Sequence, residues 1–145
     1  MLDMTAQEDD ILARLRTGMA PVEIIDTEVP DIFDDDPVGD GTFAPYIATI
    51  WGGPVVNMRD RGIVGVRNDL MKAYVIIRIV TPDAKTNRRL YNKMMDLMVG
   101  YRPVNSGEML NKAGMAFTNG NATNKPTRYY REVNFEYATN TTLEG

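Results

Sequence analysis

Five aspartates crowd into "PDIFDDDPVGDGTFAP", residues 30–45: Asp31, Asp34, Asp35, Asp36 and Asp40. Carboxylates at that density are the residue type that gathers Ca²⁺ or Mg²⁺ through oxygen ligands. The spacing nevertheless fails the calcium-loop pattern D-x-[DN]-x-[DN]-G from every possible start, and no Glu stands at a twelfth position. A glycosidase-type carboxylate pair would need one carboxyl in an apolar pocket that raises its pKa, and the surrounding residues offer none. The stretch therefore reads as a solvated acidic loop or one with an electrostatic task, and no metal site is expected.

Other chemistries fail on similar grounds. "GDG" at Gly39–Gly41 is flanked by acids and precedes a strand, whereas phosphate-cradling glycine loops open a helix. The chain has no His and no Cys, which removes thiol nucleophiles, Ser-His-Asp triads, Cys/His zinc sites and histidine acid–base catalysis. No catalytic residue and no cofactor is expected.

Three basic clusters stand out. Arg59 and Arg61 flank Asp60 in a polar bend, Arg88 and Arg89 lie in the middle of a predicted helix, and Arg128 and Arg131 bracket Tyr129 and Tyr130. Solvated faces or protein–protein ion pairs suit them better than phosphate contacts. The net charge of −4 and pI near 4.8 also oppose attraction to nucleic acid.

"RYYREVNFEYATN", residues 128–140, puts Tyr129, Arg131, Val133, Phe135 and Tyr137 on one alternating face, which could stack bases. It lacks the glycines of an RNA-recognition strand and sets Glu132 and Glu136 beside the aromatics. A half-buried strand is the better reading, with Tyr129, Val133, Phe135 and Tyr137 inward and Tyr130, Glu132 and Glu136 outward.

The elements that would position these residues follow from periodicity. Thr5 and Glu8 form a capping box for a helix whose apolar stripe is Ile11, Leu12, Leu15 and Met19, with Gly18 and Pro21 ending it. "VEIIDTEV" (22–29) is a strand, and the acidic loop follows. "YIATIW" (46–51) is a second strand, closed by a "GGP" turn, with short strands expected around 55–58 and 63–66. "MKAYVIIRIV" (71–80) alternates Met71, Ala73, Val75, Ile77 and Ile79 against a mixed second face, as a central strand does. Thr81 as N-cap and Pro82 at the first helical position open a helix to about Val99, with Gly100 beyond. Its stripe is Ala84, Tyr91, Met94 and Met98, broadened by Leu90, Met95 and Leu97. After a short apolar piece at Met109–Leu110, "TNGNATNKPT" (118–127) reads as a loop before the closing strand. The sum is an α+β fold: a mostly antiparallel β-sheet packed on one face by two α-helices, with a long acidic loop, as a single domain over 1–145. No apolar run reaches the roughly 20 residues of a membrane span, and the acidic start lacks a signal-peptide pattern.

This order, with "PYIAT", then "AYVIIRIV" running into "TPDAKTNRRLYNKMMDLMVGYRP" and a closing "RYYREVNFEYATN", resembles the tail terminator proteins of long-tailed phages with non-contractile tails, particularly those infecting actinobacteria. The resemblance implies a non-enzymatic virion subunit at the head-proximal end of the tail, assembled in the host cytoplasm. It would form a hexameric ring that ends polymerisation of the tail tube protein and offers a joining face to the head–tail connector. DNA would only pass through the lumen. Within that picture Asp34, Asp35, Asp36 and Asp40 are expected to face the channel or a ring contact, and Arg59, Arg61, Arg88 and Arg89 to supply subunit or tube contacts. A head–tail connector, stopper or other minor tail protein is the alternative. A carboxylate- or Mg²⁺-dependent enzyme built on the aspartates is the competing class.

Overall fold

The computed structural model describes residues 5–26, 44–56, 70–104, 106–111, 118–121 and 128–140. Two helices and six strands run in the order α1 (Thr5–Gly18), β1 (Glu23–Asp26), β2 (Tyr46–Val56), β3 (Leu70–Thr81), α2 (Ala84–Met98), β4 (Leu110–Asn111), β5 (Thr118–Asn121) and β6 (Arg128–Asn140). The strands form one sheet ordered β1-β2-β3-β6-β4, with β5 also paired to β6. All pairings are antiparallel except β1 with β2. The fold is α+β, with both helices on one face of a mostly antiparallel sheet.

β3 is central because its composition tolerates cover on both sides. Ala73, Val75, Ile77 and Ile79 are buried on the helix side, where β6 sets Tyr137, Phe135, Val133 and Arg131 directly opposite them. From β2, Ile47, Thr49 and Trp51 face Ile79, Ile77 and Val75. Ile11, Leu12 and Leu15 of α1 and Met94 and Met98 of α2 close this core from above, with Met19 and Met109. Burying side chains of that size stabilises by roughly 1.5–3 kcal/mol each before entropy is counted.

Several boundaries differ from the sequence expectation. The N-cap of α2 is Asp83, whose carboxylate accepts from the Thr86 amide at 2.7 Å; Thr81 is the last residue of β3 and donates its hydroxyl to the Asp83 carbonyl instead. Capping needs an acceptor two or three residues before the amide it serves, and only Asp83 stands there. "GGP" does not close β2. The strand continues to Val56 through a register shift between Gly52 and Val55, and Pro54, with no N–H to give, falls within that irregularity. Residues 118–121, read as loop, pair along β6 from Arg131 to Arg128. Edge pairing works through the backbone, so a polar strand leaves no periodic signal. Ala84 is exposed and lies off the buried stripe of α2, whose third buried member is Asn87. The strand expected around 63–66 lies outside the described residues.

Two side chains of α1 fix how the elements meet. Asp10 of α1 accepts from the Tyr101 hydroxyl at 2.6 Å and the Val104 amide at 2.8 Å, tying α1 to the chain after α2. Arg14 lies 4.2 Å over the Tyr101 ring and donates through Nε to the Leu97 carbonyl at 2.9 Å. α2 has no basic residue in its own last turn, so α1 supplies the cation that a helix C-terminus favours. Gly100 follows with φ +81, the left-handed conformation in which a Cβ is strained.

Candidate functional site

The residues capable of recognition lie on surfaces. α2 is the clearest case. Its sheet-facing side carries Asn87, Met94 and Met98, and its opposite side exposes Lys85, Arg88, Arg89, Asn92, Lys93 and Asp96. At 3.6 residues per turn the four cations fall within a sector of roughly 140°. Arg88 and Arg89, expected as contact residues, are therefore both on the outer face. Lys85 and Lys93 join them, and only the four-residue spacing of Lys85, Arg89 and Lys93 marks that in the sequence. Arg59, Arg61, Asp34, Asp35, Asp36 and Asp40 lie outside the described residues.

The helix-free face of the sheet is the second surface. Lys72, Tyr74, Ile76, Arg78 and Val80 of β3 alternate onto it, opposite Ala138, Glu136, Asn134, Glu132 and Tyr130 of β6. Arg78 and Glu132 form an ion pair at its centre. Tyr46 and Val80 make a small buried corner there, against Ile25 and Tyr130. Burial, and then Tyr130 beside it, push the Tyr46 phenol up to about 12, although Arg78 acts in the other direction. The Asn134 Oδ1 is buried with no hydrogen-bond partner among the described residues.

A shallow cavity of about 390 Å³ lies where this face meets β4, lined by Lys72, Arg102, Glu108, Leu110 and Glu136 among others. Its two cations and two anions balance, and Arg102 pairs with Glu108 at 3.1 Å in a solvent-exposed contact. Exposed pairs of this type contribute little, about 0–1 kcal/mol. A groove of about 350 Å³ beside Asp10, Arg14 and Tyr101 is already occupied chemically by the bonds that dock α1 on α2. Among the described residues no three carboxylates gather into a metal-binding cluster. No described helix is long and apolar enough to cross a membrane.

With this geometry in hand, comparison with protein-family models gives no match, and comparison with curated proteins gives none. Among solved structures, a chain from the virion of a native gene transfer agent particle superposes with a TM-score of 0.54. The likeness is one of fold. At 13% identity it covers 95% of this chain and 94% of that chain.

Proposed function

We propose that the protein is a structural, non-enzymatic component of a phage-like virion. More specifically, it forms a hexameric ring that caps the tail tube, ends its polymerisation and offers the face to which the head–tail connector joins. The observation that carries this reading is the fold shared along nearly the whole of both chains with a subunit of a gene transfer agent virion. The order of elements that resembles tail terminators supports the finer role. The chemistry of the chain is compatible with it: a net charge of −4 suits a subunit that DNA passes without adhering. A ring needs two different surfaces that dock heterologously and close by rotation. The exposed basic side of α2 is available as one such surface.

The test is to mix the purified protein with tail tubes and image them. A ring seated at one end of each tube, with tube length fixed by its addition, is the expected result. Rings that bind isolated connector complexes and never tubes would overturn the capping role and favour a connector or stopper. Binding to neither would overturn the virion reading.

A further inference from the structure

The cations on the outer face of α2 are not explained by the helix they stand on. Lys85 lies in the first turn, where the helix dipole disfavours positive charge, and no acidic residue accompanies it within that turn. Lys85 with Arg89, and Arg89 with Lys93, are like-charge pairs at i, i+4, each costing a few tenths of a kcal/mol. The ion pairs Arg78–Glu132 and Arg102–Glu108 lie elsewhere. All four side chains are exposed. Within the described fold the stripe has one carboxylate at its N-terminal end, the N-cap Asp83, whose charged form Arg89 helps to favour, and the charges on its outward side from Lys85 to Lys93 are otherwise all alike.

Its complement is in the same sequence. Residues 27–43 hold six acidic side chains and no basic one, out of 20 acidic and 16 basic residues in the chain. The charge of the molecule is thus divided, with the remainder slightly positive and most of that excess gathered on one helix face.

We propose that the outer face of α2, through Lys85, Arg88, Arg89 and Lys93, is the docking surface for the acidic stretch Asp31–Asp40 of a second copy of this chain. Two points favour a second copy over the same chain. The acidic stretch is anchored at both ends in strands of the sheet, β1 and β2, and the outer face of α2 points away from that sheet, with α1 as the helix that packs on β1. A contact between copies also leaves one basic face and one acidic stretch free at each step, which a closing ring requires and an internal contact would consume. Polyphosphate is the competing occupant, and the overall charge of −4 works against its approach. The proposal rests on the ring reading above and names its interface.

The experiment measures self-association by sedimentation at low salt and at 1 M salt, where the screening length falls from about 10 Å at 0.1 M to about 3 Å. Wild type should associate at low salt and weaken at high salt. R88E/R89E and D34K/D35K/D36K should each weaken association about tenfold or more, with melting temperatures that show both still fold. Mixing the two variants should restore it, since each reversed surface then meets a reversed mate. Association of the variants equal to wild type, or a wild type that never associates, overturns the proposal. So does restoration only when both sets of changes share one chain, which would place the contact within a subunit. Retardation of a labelled DNA duplex by wild type but not R88E/R89E, with self-association unchanged, assigns the stripe to phosphate instead. Tube capping by the same proteins separates the two readings. Variants that associate normally and still cap overturn the interface alone, whereas a charge swap that works in a protein unable to cap overturns the capping role alone.

Discussion

Asp10 carries two charge-assisted bonds from parts of the chain more than ninety residues away, the Tyr101 hydroxyl and the Val104 amide. Hydrogen bonds to a charged group contribute about 1.5–3 kcal/mol, less where solvent reaches them, as it does here. Tyr101→Phe removes one bond and keeps the ring beneath Arg14, so it should cost about 1 kcal/mol. Asp10→Ala loses both bonds and leaves Arg14 without its nearby anion, so it should cost about 2 kcal/mol. Urea unfolding with an unchanged slope checks the order; a Tyr101→Phe protein less stable than Asp10→Ala would mean that the Tyr101 hydroxyl, not the Asp10 carboxylate, is the group that holds α1 in place. Little of this is visible in the sequence. Asp10 sits among the acids of the first helix and Tyr101 beyond the second, and no local pattern joins residues that far apart.

At the scale of elements, the docking of α2 on the sheet turns on Asn87. It is fully buried and donates through Nδ2 to the Ile79 carbonyl at 3.3 Å and the Tyr129 carbonyl at 2.9 Å, bridging β3 and β6 near the end of their ladder. Asn87→Ala should cost about 1–3 kcal/mol by leaving buried carbonyls unserved. Asn87→Asp should be worse at pH 7, because a carboxylate would face two carbonyl oxygens. A buried carboxyl without a donor has its folded-state pKa raised, so the added penalty appears above the unfolded value near 4 and fades below it. Melting curves at pH 7 and pH 4 test this, and an Asn87→Asp penalty that does not change with pH would refute it. The two faces of β3 give a second check. Ile77 is fully buried between Thr49 and Val133, and Ile77→Ala should cost about 2–5 kcal/mol. Its neighbour Ile76, half-buried on the helix-free face, should cost about 1–2 kcal/mol on the same change, since less apolar area leaves water. Equal losses would mean that the second face is as closed as the first. The alternation of Ile77 and Ile76 is legible in the sequence. The role of Asn87 is not, because an Asn in a helix looks like a surface residue until the strands beneath it are placed.

For the molecule as a whole, the absence of His leaves carboxylates and tyrosines to set the response to pH. Burial pushes the phenols of Tyr46 and Tyr137 up to about 12, with Glu8 adding to the shift at Tyr137. Both are groups whose folded-state pKa lies above an unfolded value near 10. Their contribution is therefore complete below pH 10 and is lost as pH rises toward 12. The melting temperature should hold steady from neutral pH to about 10 and then fall steeply, and phenolate absorbance should appear together with unfolding. Tyr46 and Tyr137 lie on opposite faces of the sheet, Tyr137 in the main core and Tyr46 in the small corner with Val80. Replacing Tyr46 with Phe should shift the alkaline limit upward; no change in that limit would mean that Tyr137 alone sets it.

The amino-acid order by itself determined the parts of this protein that depend on local periodicity. The apolar stripe of α1, the alternation of β3 and the inward set Val133, Phe135 and Tyr137 of β6 are written at spacings of four and two, because those are the repeats of the backbone. Composition by itself likewise removes His- and Cys-based chemistry. Tertiary structure decided what depends on which strand lies beside which. That β1 runs parallel to β2, that 118–121 pairs with β6, and that Asp26 of β1 receives the Trp51 indole N–H at 2.6 Å are facts of chain path, and a strand's sequence does not encode the direction of its neighbour. The same holds for α2. Its sequence contains two adjacent arginines; only the burial of Asn87, Met94 and Met98 against the sheet turns Lys85, Arg88, Arg89 and Lys93 into one outward face, because a helix has an outside only once something covers its other side.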